Sequence, residues 1–143
     1  MQRTLVLLKP DALERGLVGE IISRLEGRGL KIVAMKMMWV GEALAKRHYA
    51  IHKGKSFFEE LVEFITSGPI IAAVFEGEDA VEVVREAMGE TDPARAATGT
   101  IRSDLAQDIK RNLIHGSDSE ETAAKEIDLF FSPQEILDYP TGS

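Results

Sequence analysis

One histidine, His115, lies in a stretch of sequence that could hold it as a nucleophile. Leu113 and Ile114 precede it and are typical of the end of a short buried strand, so we expect His115 where the chain leaves that strand. Gly116 then allows the backbone to turn without steric cost. The ordinary pKa of histidine, about 6.5, leaves the imidazole neutral near neutral pH, and histidine can form covalent intermediates. The next helix can be capped by the side-chain oxygens of Ser117, Asp118 and Ser119.

The same residues have a simpler interpretation. A lone histidine at a strand end is more often structural than catalytic, and the local pattern alone allows both roles. Lys9, which follows an apolar run and precedes Pro10, also has two interpretations. It is either a solvated strand terminus or a cation at the mouth of a site, since proline removes a backbone donor and ends the strand's pairing.

The composition favours one domain with a hydrophobic core. The chain has 143 residues, 44% of them hydrophobic, and no cysteine, which excludes disulfides, thiolate metal sites and cysteine nucleophiles. No apolar run is long enough to span a membrane, and the N-terminus lacks a signal-peptide pattern, so we expect a cytoplasmic enzyme or binding protein. The formal net charge of −7 disfavours a nucleic-acid module, although a few focused arginines can hold a small phosphate ligand.

Hydrophobic periodicity predicts four strands that alternate with helices. Short apolar runs indicate the strands, and apolar residues three and four apart indicate the helices. Residues 90–109 lack periodicity, and such irregular segments are usually functional or mobile. The predicted strands are Thr4–Leu8, Leu30–Val40, Ile70–Phe75 and Leu113–His115; the predicted helices are about 18–25, 42–51, 56–65, 80–87 and 119–129, followed by a helical turn from Ser132 and a tail over Tyr139–Ser143.

The second predicted strand is apolar on both faces. We therefore expect it to be covered on each side. Its methionines are expected to fill the core or a subunit contact rather than to bind a metal.

The order of elements predicts an α+β fold. Four strands with connections of this length favour a ferredoxin-like βαββαβ arrangement, a four-stranded antiparallel sheet covered by helices. The sequence contains neither of the common glycine-rich phosphate loops. A nucleotide would have to be bound in another way.

Three motifs together resemble those of the nucleoside diphosphate kinase family. They are Lys9-Pro10-Asp11, Gly99-Thr100-Ile101-Arg102, and Asn112-x-x-His115-Gly116-Ser117-Asp118; residues 15–21, the Phe57-Phe58 pair and Ser67-Gly68-Pro69 are similar to the same family. The resemblance extends from about Arg3 to Tyr139 and implies a single domain of this family over residues 1–143.

The resemblance implies an activity. Members transfer the γ-phosphoryl group of a nucleoside triphosphate, typically ATP, to a nucleoside diphosphate by a ping-pong route through a phosphohistidine. They use Mg²⁺ that is bridged mainly by the nucleotide phosphates, so no metal ligand is expected from protein side chains alone. Members are homo-oligomers, which implies a hexamer here, with a tetramer as the alternative. Neither a membrane nor a specific nucleic acid is implied as a partner.

The resemblance also implies the catalytic residues. His115 matches the phosphoryl acceptor, Glu126 the glutamate that orients its imidazole, and Ser117 the serine bonded to that glutamate. Tyr49 is placed beside the histidine, and Lys9 belongs to the same group. A carboxylate partner would fix the tautomer of the imidazole and stabilise the charge that develops on it.

The implied nucleotide-binding residues surround this group. Phosphoryl transfer depends mainly on positioning and charge neutralisation, which arginine supplies well. Stacking on an aromatic face reads no base edge and explains a broad base tolerance. The residues implied are Arg85, Thr91 and Arg102 for the phosphates, Lys9 and Asn112 for the ribose hydroxyls and nearby phosphate, His52 for phosphate, Phe57 for the base, and Ile109 for the other side of the base.

The sequence departs from the family pattern at several positions. Ile109 replaces a valine, and the extra methylene should be tolerated. Thr98, Ser103 and Leu105 replace a proline, a glycine and a phenylalanine, and Ser56 replaces another proline. None of these is an implied catalytic position, but the change at Thr98 could loosen a loop that carries subunit contacts.

Two other functions are open at this point. A catalytically silent, ferredoxin-like nucleotide-binding or regulatory module would have lost one of the motif residues, and none is lost. An RNA-binding sheet of similar topology would carry exposed aromatic residues on its central strands and a basic face, whereas these strands are aliphatic and the chain is acidic.

Overall fold

Four strands form one antiparallel sheet with the spatial order β2–β3–β1–β4. A computed structural model describes residues 1–141 of the chain; the last two residues of the predicted domain and tail, Gly142 and Ser143, lie outside the described residues. The strand order is that of the ferredoxin-like fold, as predicted. The strands are β1, Gln2–Leu8; β2, Lys31–Met38; β3, Ile70–Gly77; and β4, Ile114–Gly116.

Helices cover both faces of the sheet. One core lies between the sheet and α2, α5 and α6; the other lies between the opposite face and α3, α4 and α7. β1 is fully buried from Leu5 to Leu8 because it lies between two neighbouring strands and two cores. The helices are α1, Pro10–Glu14; α2, Val18–Glu26; α3, Glu42–His48; α4, Phe58–Ile65; α5, Ala80–Met88; α6, Ile101–Leu105; and α7, Glu120–Phe130, with 3₁₀ turns at Ala50–His52 and Pro133–Glu135.

Two short helices were not predicted. α1 begins directly at Pro10, whose missing N–H costs nothing at the first helical position. α6 lies within the irregular segment 90–109 and is capped by Thr100, whose Oγ1 accepts a hydrogen bond from the N–H of Ser103 (3.2 Å). Each has only five residues, which is too short to produce a readable hydrophobic period. The helix predicted over 42–51 ends at His48 and continues as the 3₁₀ turn.

The prediction that both faces of the second strand are covered is wrong for the described chain. β2 is an edge strand, and its register shifts between Ile32 and Ala34. The shift interrupts the alternation, so Val33 and Ala34 are both buried. Beyond it, an apolar row is exposed: Met35, 41%; Met37, 66%; and Trp39, 65%.

Among the described helices, none is long and apolar enough to cross a bilayer.

Candidate active site

The backbone makes a tight turn immediately before His115. Leu113 has a φ of 75°, and the N–H of Ile114 donates to the carbonyl oxygen of Asn112 (2.9 Å), which closes a γ-turn. A branched residue with positive φ is strained, and such strain persists only where the surroundings impose it. β4 follows at once and places His115 opposite Leu7 of β1.

The first turn of α1 imposes this conformation. The N–H of Leu113 donates to Oδ2 of buried Asp11 (3.1 Å), and the carbonyl oxygen of Leu113 accepts from the N–H of Lys9 (2.8 Å). Burial raises the pKa of the Asp11 carboxyl, while the charge of Lys9 works in the opposite direction. The Lys9-Pro10-Asp11 motif therefore anchors both the N–H and the carbonyl of the strained residue.

Gly116 has a different role from the one predicted. It belongs to β4 and not to a turn, and its φ is not positive. A Cβ at this position would lie 2.7 Å from Sδ of Met88 and 2.9 Å from Cγ1 of Val84. Glycine is required here because α5 packs directly against the strand that carries His115.

His115, Glu126 and Ser117 form a hydrogen-bonded group, the His115 centre. Nε2 of His115 lies 2.9 Å from Oε1 and 3.1 Å from Oε2 of Glu126, and Oγ of Ser117 donates to Oε1 (2.6 Å). Ser117 also accepts from the N–H of Leu5 on β1 (3.3 Å). An ionised carboxylate can only accept, so Nε2 carries the proton and Nδ1 keeps its lone pair. The His115 side chain is 24% exposed, so its free edge reaches the adjoining cavity.

The Glu126 carboxylate is ionised in this environment. Burial alone would raise the pKa of Glu126, but the hydrogen bonds from His115 and Ser117 hold it below its ordinary value. α7 places Glu126 on its buried side, and the helix begins where Ser119 Oγ accepts from the N–H of Thr122 (3.1 Å). Of the three predicted capping residues, Ser119 is the cap, and Ser117 serves the His115 centre instead.

His48, which the sequence did not single out, contacts the candidate nucleophile. The rings of His48 and His115 meet edge to face, with centroids 4.7 Å apart. Tyr49 packs against His48 in turn, again with centroids 4.7 Å apart. Burial and the charge of Glu126 raise the pKa of Tyr49 to about 12. No sequence pattern distinguishes His48, because helical spacing places it only on a shared face with Leu44.

Lys9 and Asn112 are buried and bonded to each other. Nζ of Lys9 donates to Oδ1 of Asn112 (2.8 Å), and Nδ2 of Asn112 donates to the carbonyl oxygen of Thr91 (3.3 Å). Burial and, secondarily, the charge of Arg102 lower the pKa of Lys9 to about 8. These three residues, far apart in sequence, form one chain of hydrogen bonds.

Arg102 binds the backbone around the nucleophile. Its guanidinium donates to the carbonyl oxygens of Ile114 (2.6 Å), Gly89 (3.1 Å) and Asn112 (3.4 Å). It is buried, and burial followed by the charge of Arg85 lowers its pKa to about 10. Sequence reasoning assigned Arg102 only to phosphate, and this structural function was missed.

A cavity of about 900 Å³ adjoins the His115 centre. It lies between the α3 region, the segment after α5 and the start of α7. Several of the predicted site residues line it, together with three further cations. The predicted residues are Tyr49, His52, Arg85, Thr91, Arg102, His115 and Glu126, and the further cations are Arg47, Arg95 and Lys125.

The two residues predicted for the base lie outside this cavity. Phe57 is 42% exposed, and its ring centroid is 5.2 Å from that of His52. Ile109 is 57% exposed and lines a second, more open depression of about 440 Å³ with Pro93 and Asp108. His52 lines the main cavity, and Asp92 lines both the cavity and the second depression, so we call Phe57 and Ile109 the cavity mouth.

Three potential metal ligands lie together at the His115 centre. Within residues 1–141, the one cluster of three potential metal ligands is His48, His115 and Glu126. Mg²⁺ requires hard oxygen ligands, and two imidazoles with one carboxylate do not provide them.

Comparison with known proteins gives a consistent result. The family model described as nucleoside diphosphate kinase matches residues 2–136. The nucleoside diphosphate kinase of Listeria monocytogenes serotype 4b (strain CLIP80459) is 58% identical over 139 residues, which are 97% of this chain and 95% of that protein. The chain belongs to the nucleoside diphosphate kinase family. It accordingly binds nucleotides and transfers phosphoryl groups between them, and kinases of this class act on nucleotides complexed with a divalent cation.

Other family members agree in sequence and in fold. The nucleoside diphosphate kinase of Archaeoglobus fulgidus is 55% identical, with 97% of this chain and 92% of that protein covered. A halophilic nucleoside diphosphate kinase from Halobacterium salinarum, solved in complex with CDP, superposes with a TM-score of 0.96 at 51% identity, covering 99% of this chain and 94% of that one. The enzyme from Aquifex aeolicus gives a TM-score of 0.92 at 45% identity, covering 95% of this chain and 99% of that one.

The departures from the family pattern are accommodated without disturbing the fold. Ser56 and Thr98 are exposed, and Leu105 packs at the margin of the core that contains α6. Ser103 lies in the first turn of α6, where its N–H is satisfied by Thr100. None of these residues lines the cavity.

Proposed function

We propose that the chain runs the family reaction by a ping-pong mechanism in which Nδ1 of His115 carries the phosphoryl group between two nucleotides. The observation that carries the proposal is the pairing of Nε2 with Glu126. Because the carboxylate accepts a hydrogen bond from the Nε2–H group, the lone pair of Nδ1 is available to a substrate in the cavity.

In the first half-reaction, the Nδ1 lone pair forms a bond to the γ-phosphorus of a nucleoside triphosphate. The bond between that phosphorus and the β–γ bridging oxygen breaks, and its electron pair leaves with the nucleoside diphosphate. The imidazole becomes positively charged while Nε2 keeps its proton, and the Glu126 carboxylate stabilises that charge. In the second half-reaction, a β-phosphate oxygen of another nucleoside diphosphate attacks the phosphorus and the P–N bond breaks, which restores neutral His115.

The surrounding residues would position the phosphates. Arg85 and Thr91 line the cavity and would contact the phosphate oxygens, with His52 on the opposite wall. Lys9 and Asn112, already bonded to each other, would receive the ribose hydroxyls and nearby phosphate. Such groups act by positioning and by neutralising charge.

The base would lie at the cavity mouth. Phe57 would stack on one side of it and Ile109 would close the other. The CDP bound to the Halobacterium salinarum relative is a nucleoside diphosphate, which supports this substrate class. Mg²⁺, held by the phosphates, would neutralise the charge of the transferred group.

We also propose a homo-oligomer, with a hexamer favoured over a tetramer, and a cytoplasmic location, where nucleoside triphosphates are available. Support for assembly comes from the exposed row formed by Met35 and Met37 on edge strand β2 and by Trp39 directly after it. An exposed apolar edge strand is normally covered by a partner.

Intact-mass measurement tests the proposed mechanism. We expect brief exposure of the protein to ATP and Mg²⁺ to add one acid-labile phosphoryl group, and GDP to remove it with formation of GTP. His115→Ala should fold and give no adduct. ATP binding without an adduct on the wild-type chain would contradict the mechanism and favour a silent nucleotide-binding module.

A further inference from the structure

His48 is a buried imidazole with no hydrogen-bond partner among the described residues. Its side chain is 2% exposed, and neither Nδ1 nor Nε2 is bonded. Leaving a buried polar group unpaired destabilises a fold, and a phenylalanine of similar shape would avoid that cost. The mechanism above does not use His48. Its nitrogens therefore require an explanation beyond packing.

The ring occupies a fixed position between apolar and catalytic groups. Its centroid lies 5.4 Å from that of Phe130, in an edge-to-face contact like the one with His115. Nδ1 lies 3.6 Å from Oε2 of Glu126. A shift of about half an ångström would shorten this separation to a hydrogen bond.

The charged and titratable groups around His48 come from several elements. Glu126 lies on α7, His115 on β4, Lys9 at the end of β1, His52 on the 3₁₀ turn, and Tyr49 is the next residue in the chain. Burial, followed by the electrostatic effect of His115, lowers the pKa of His48 to about 3, whereas the charge of Glu126 acts in the opposite direction. The imidazole is therefore neutral near neutral pH. A neutral ring can donate one N–H without adding positive charge beside His115.

We propose that His48 is a positioning residue for phosphoryl transfer, which donates its Nδ1–H to Oε2 of Glu126 and so holds the carboxylate against His115. The inference rests on the proposed roles of His115 and Glu126. In the resting enzyme, Oε1 already accepts from Ser117 and His115, whereas Oε2 has only the longer contact of 3.1 Å with Nε2. His48 is the donor that faces Oε2.

The contact matters most while His115 is phosphorylated. The positively charged ring then donates more strongly through Nε2 and draws the carboxylate toward itself. Without His48, Oε2 keeps only its contact with Nε2, so the carboxylate is held less firmly and the imidazole aims Nδ1 at phosphorus less precisely. In this role His48 acts through Glu126.

His48→Phe tests the proposal because it keeps the ring and removes both nitrogens. We expect phosphohistidine formation, measured by rapid quench after mixing with ATP and Mg²⁺, to slow about tenfold. The KM for ATP should be unchanged, and the thermal midpoint should equal or exceed that of the wild type. Donors to a carboxylate lower its pKa. Their loss should move the acidic limb of the rate profile to higher pH.

Two further variants separate this role from packing. His48→Gln returns an N–H donor and should recover part of the rate and of the acidic limb. Phe130→Leu removes the opposite ring contact but no nitrogen, so it should lower stability while leaving the acidic limb in place. A wild-type rate and pH profile for His48→Phe would overturn the proposal, as would a Phe130→Leu profile identical to that of His48→Phe.

Failure of the underlying mechanism would give a different result. If the wild-type chain forms no adduct, or if His115→Ala still forms one, the proposed function itself is wrong. If the wild-type adduct forms on His115 and His48→Phe forms it equally fast at every pH, only the role of His48 is wrong.

Discussion

The His115 centre and the cavity mouth are built in opposite ways. In the centre, His115, Glu126 and Ser117 are joined by hydrogen bonds of 2.6–3.1 Å and are fixed by backbone groups of neighbouring strands. At the mouth, Phe57 and Ile109 are 42% and 57% exposed and are placed by loops and a short turn. Directional contacts surround the proposed nucleophile, whereas the surface proposed for the base is apolar and non-directional.

This difference matches the two tasks of the enzyme. Phosphoryl transfer loses rate steeply when the reacting atoms are misplaced, even by about an ångström. An enzyme that accepts many nucleosides must bind the base without reading its edges, and stacking achieves this. Substitutions in the centre should therefore lower kcat, whereas substitutions at the mouth should raise KM.

The largest effect is expected for Glu126→Ala. Loss of the carboxylate frees the tautomer of His115 and removes the counter-charge of the phosphorylated ring, so kcat should fall on the order of 10²- to 10⁴-fold. Phosphoenzyme should still form slowly, because Nδ1 remains. Rapid-quench kinetics measure the step, and a rate equal to that of the wild type would remove Glu126 from the mechanism.

Arg102→Lys should reduce both activity and stability. One ammonium cannot reach the three carbonyl oxygens that the guanidinium binds, and each buried acceptor left unpaired costs about 1–3 kcal/mol. Loss of the hydrogen bond to Ile114 should leave the backbone next to His115 less rigidly held and should lower kcat roughly 10²-fold. Urea unfolding measures the loss of stability. Arg3→Lys, in an exposed ion pair with Glu76, is the matched control and should change stability by less than about 0.5 kcal/mol.

These two residues also show what sequence can and cannot reveal. The order of strands and helices follows from hydrophobic period, and the motifs shared with the family single out His115 as the predicted nucleophile. Glu126 would pass as a solvated helical residue, and its role followed only from the family resemblance. The three backbone contacts of Arg102 and the packing of His48 depend on tertiary geometry, which local pattern does not encode. Gly116 was assigned to a turn because its steric neighbours, on α5, are distant in sequence.

The pH dependence of binding should follow Lys9. Its pKa is about 8 in the free protein, so its positive charge is present below that pH and is lost as the pH rises. We expect kcat/KM to fall about fiftyfold between pH 8 and pH 10, and kcat to fall less, because bound phosphate favours the charged lysine. Lys9→Met should be less active, and its kcat/KM should not show this decrease between pH 8 and pH 10.

Stability should change in the opposite direction. The unfolded chain binds the Lys9 proton up to the ordinary pKa of lysine, near 10.4, so between pH 8 and that value it holds more protons than the folded chain. The contribution of Lys9 to the free energy of unfolding therefore increases with pH. Subtracting the free energy of unfolding of Lys9→Met from that of the wild type at each pH isolates this contribution. A difference that decreases between pH 8 and the ordinary pKa of lysine would contradict the assigned pKa.

The smallest effects are expected at the mouth. Phe57→Ala removes the stacking surface and should raise KM for a nucleoside diphosphate about fivefold at constant kcat, since stacking contributes about 1 kcal/mol or more per base. Ile109→Val removes one methylene from an exposed position and should change KM by less than about twofold.

The choice of base distinguishes stacking from recognition. Every base presents a π-face, so Phe57→Ala should raise KM for ADP, GDP, CDP and UDP by similar factors. An increase confined to one base would mean that the mouth reads base edges. A fall in kcat of the same size would mean that Phe57 positions the phosphates through His52, whose ring lies 5.2 Å away, and the division between a directional centre and a tolerant mouth would fail.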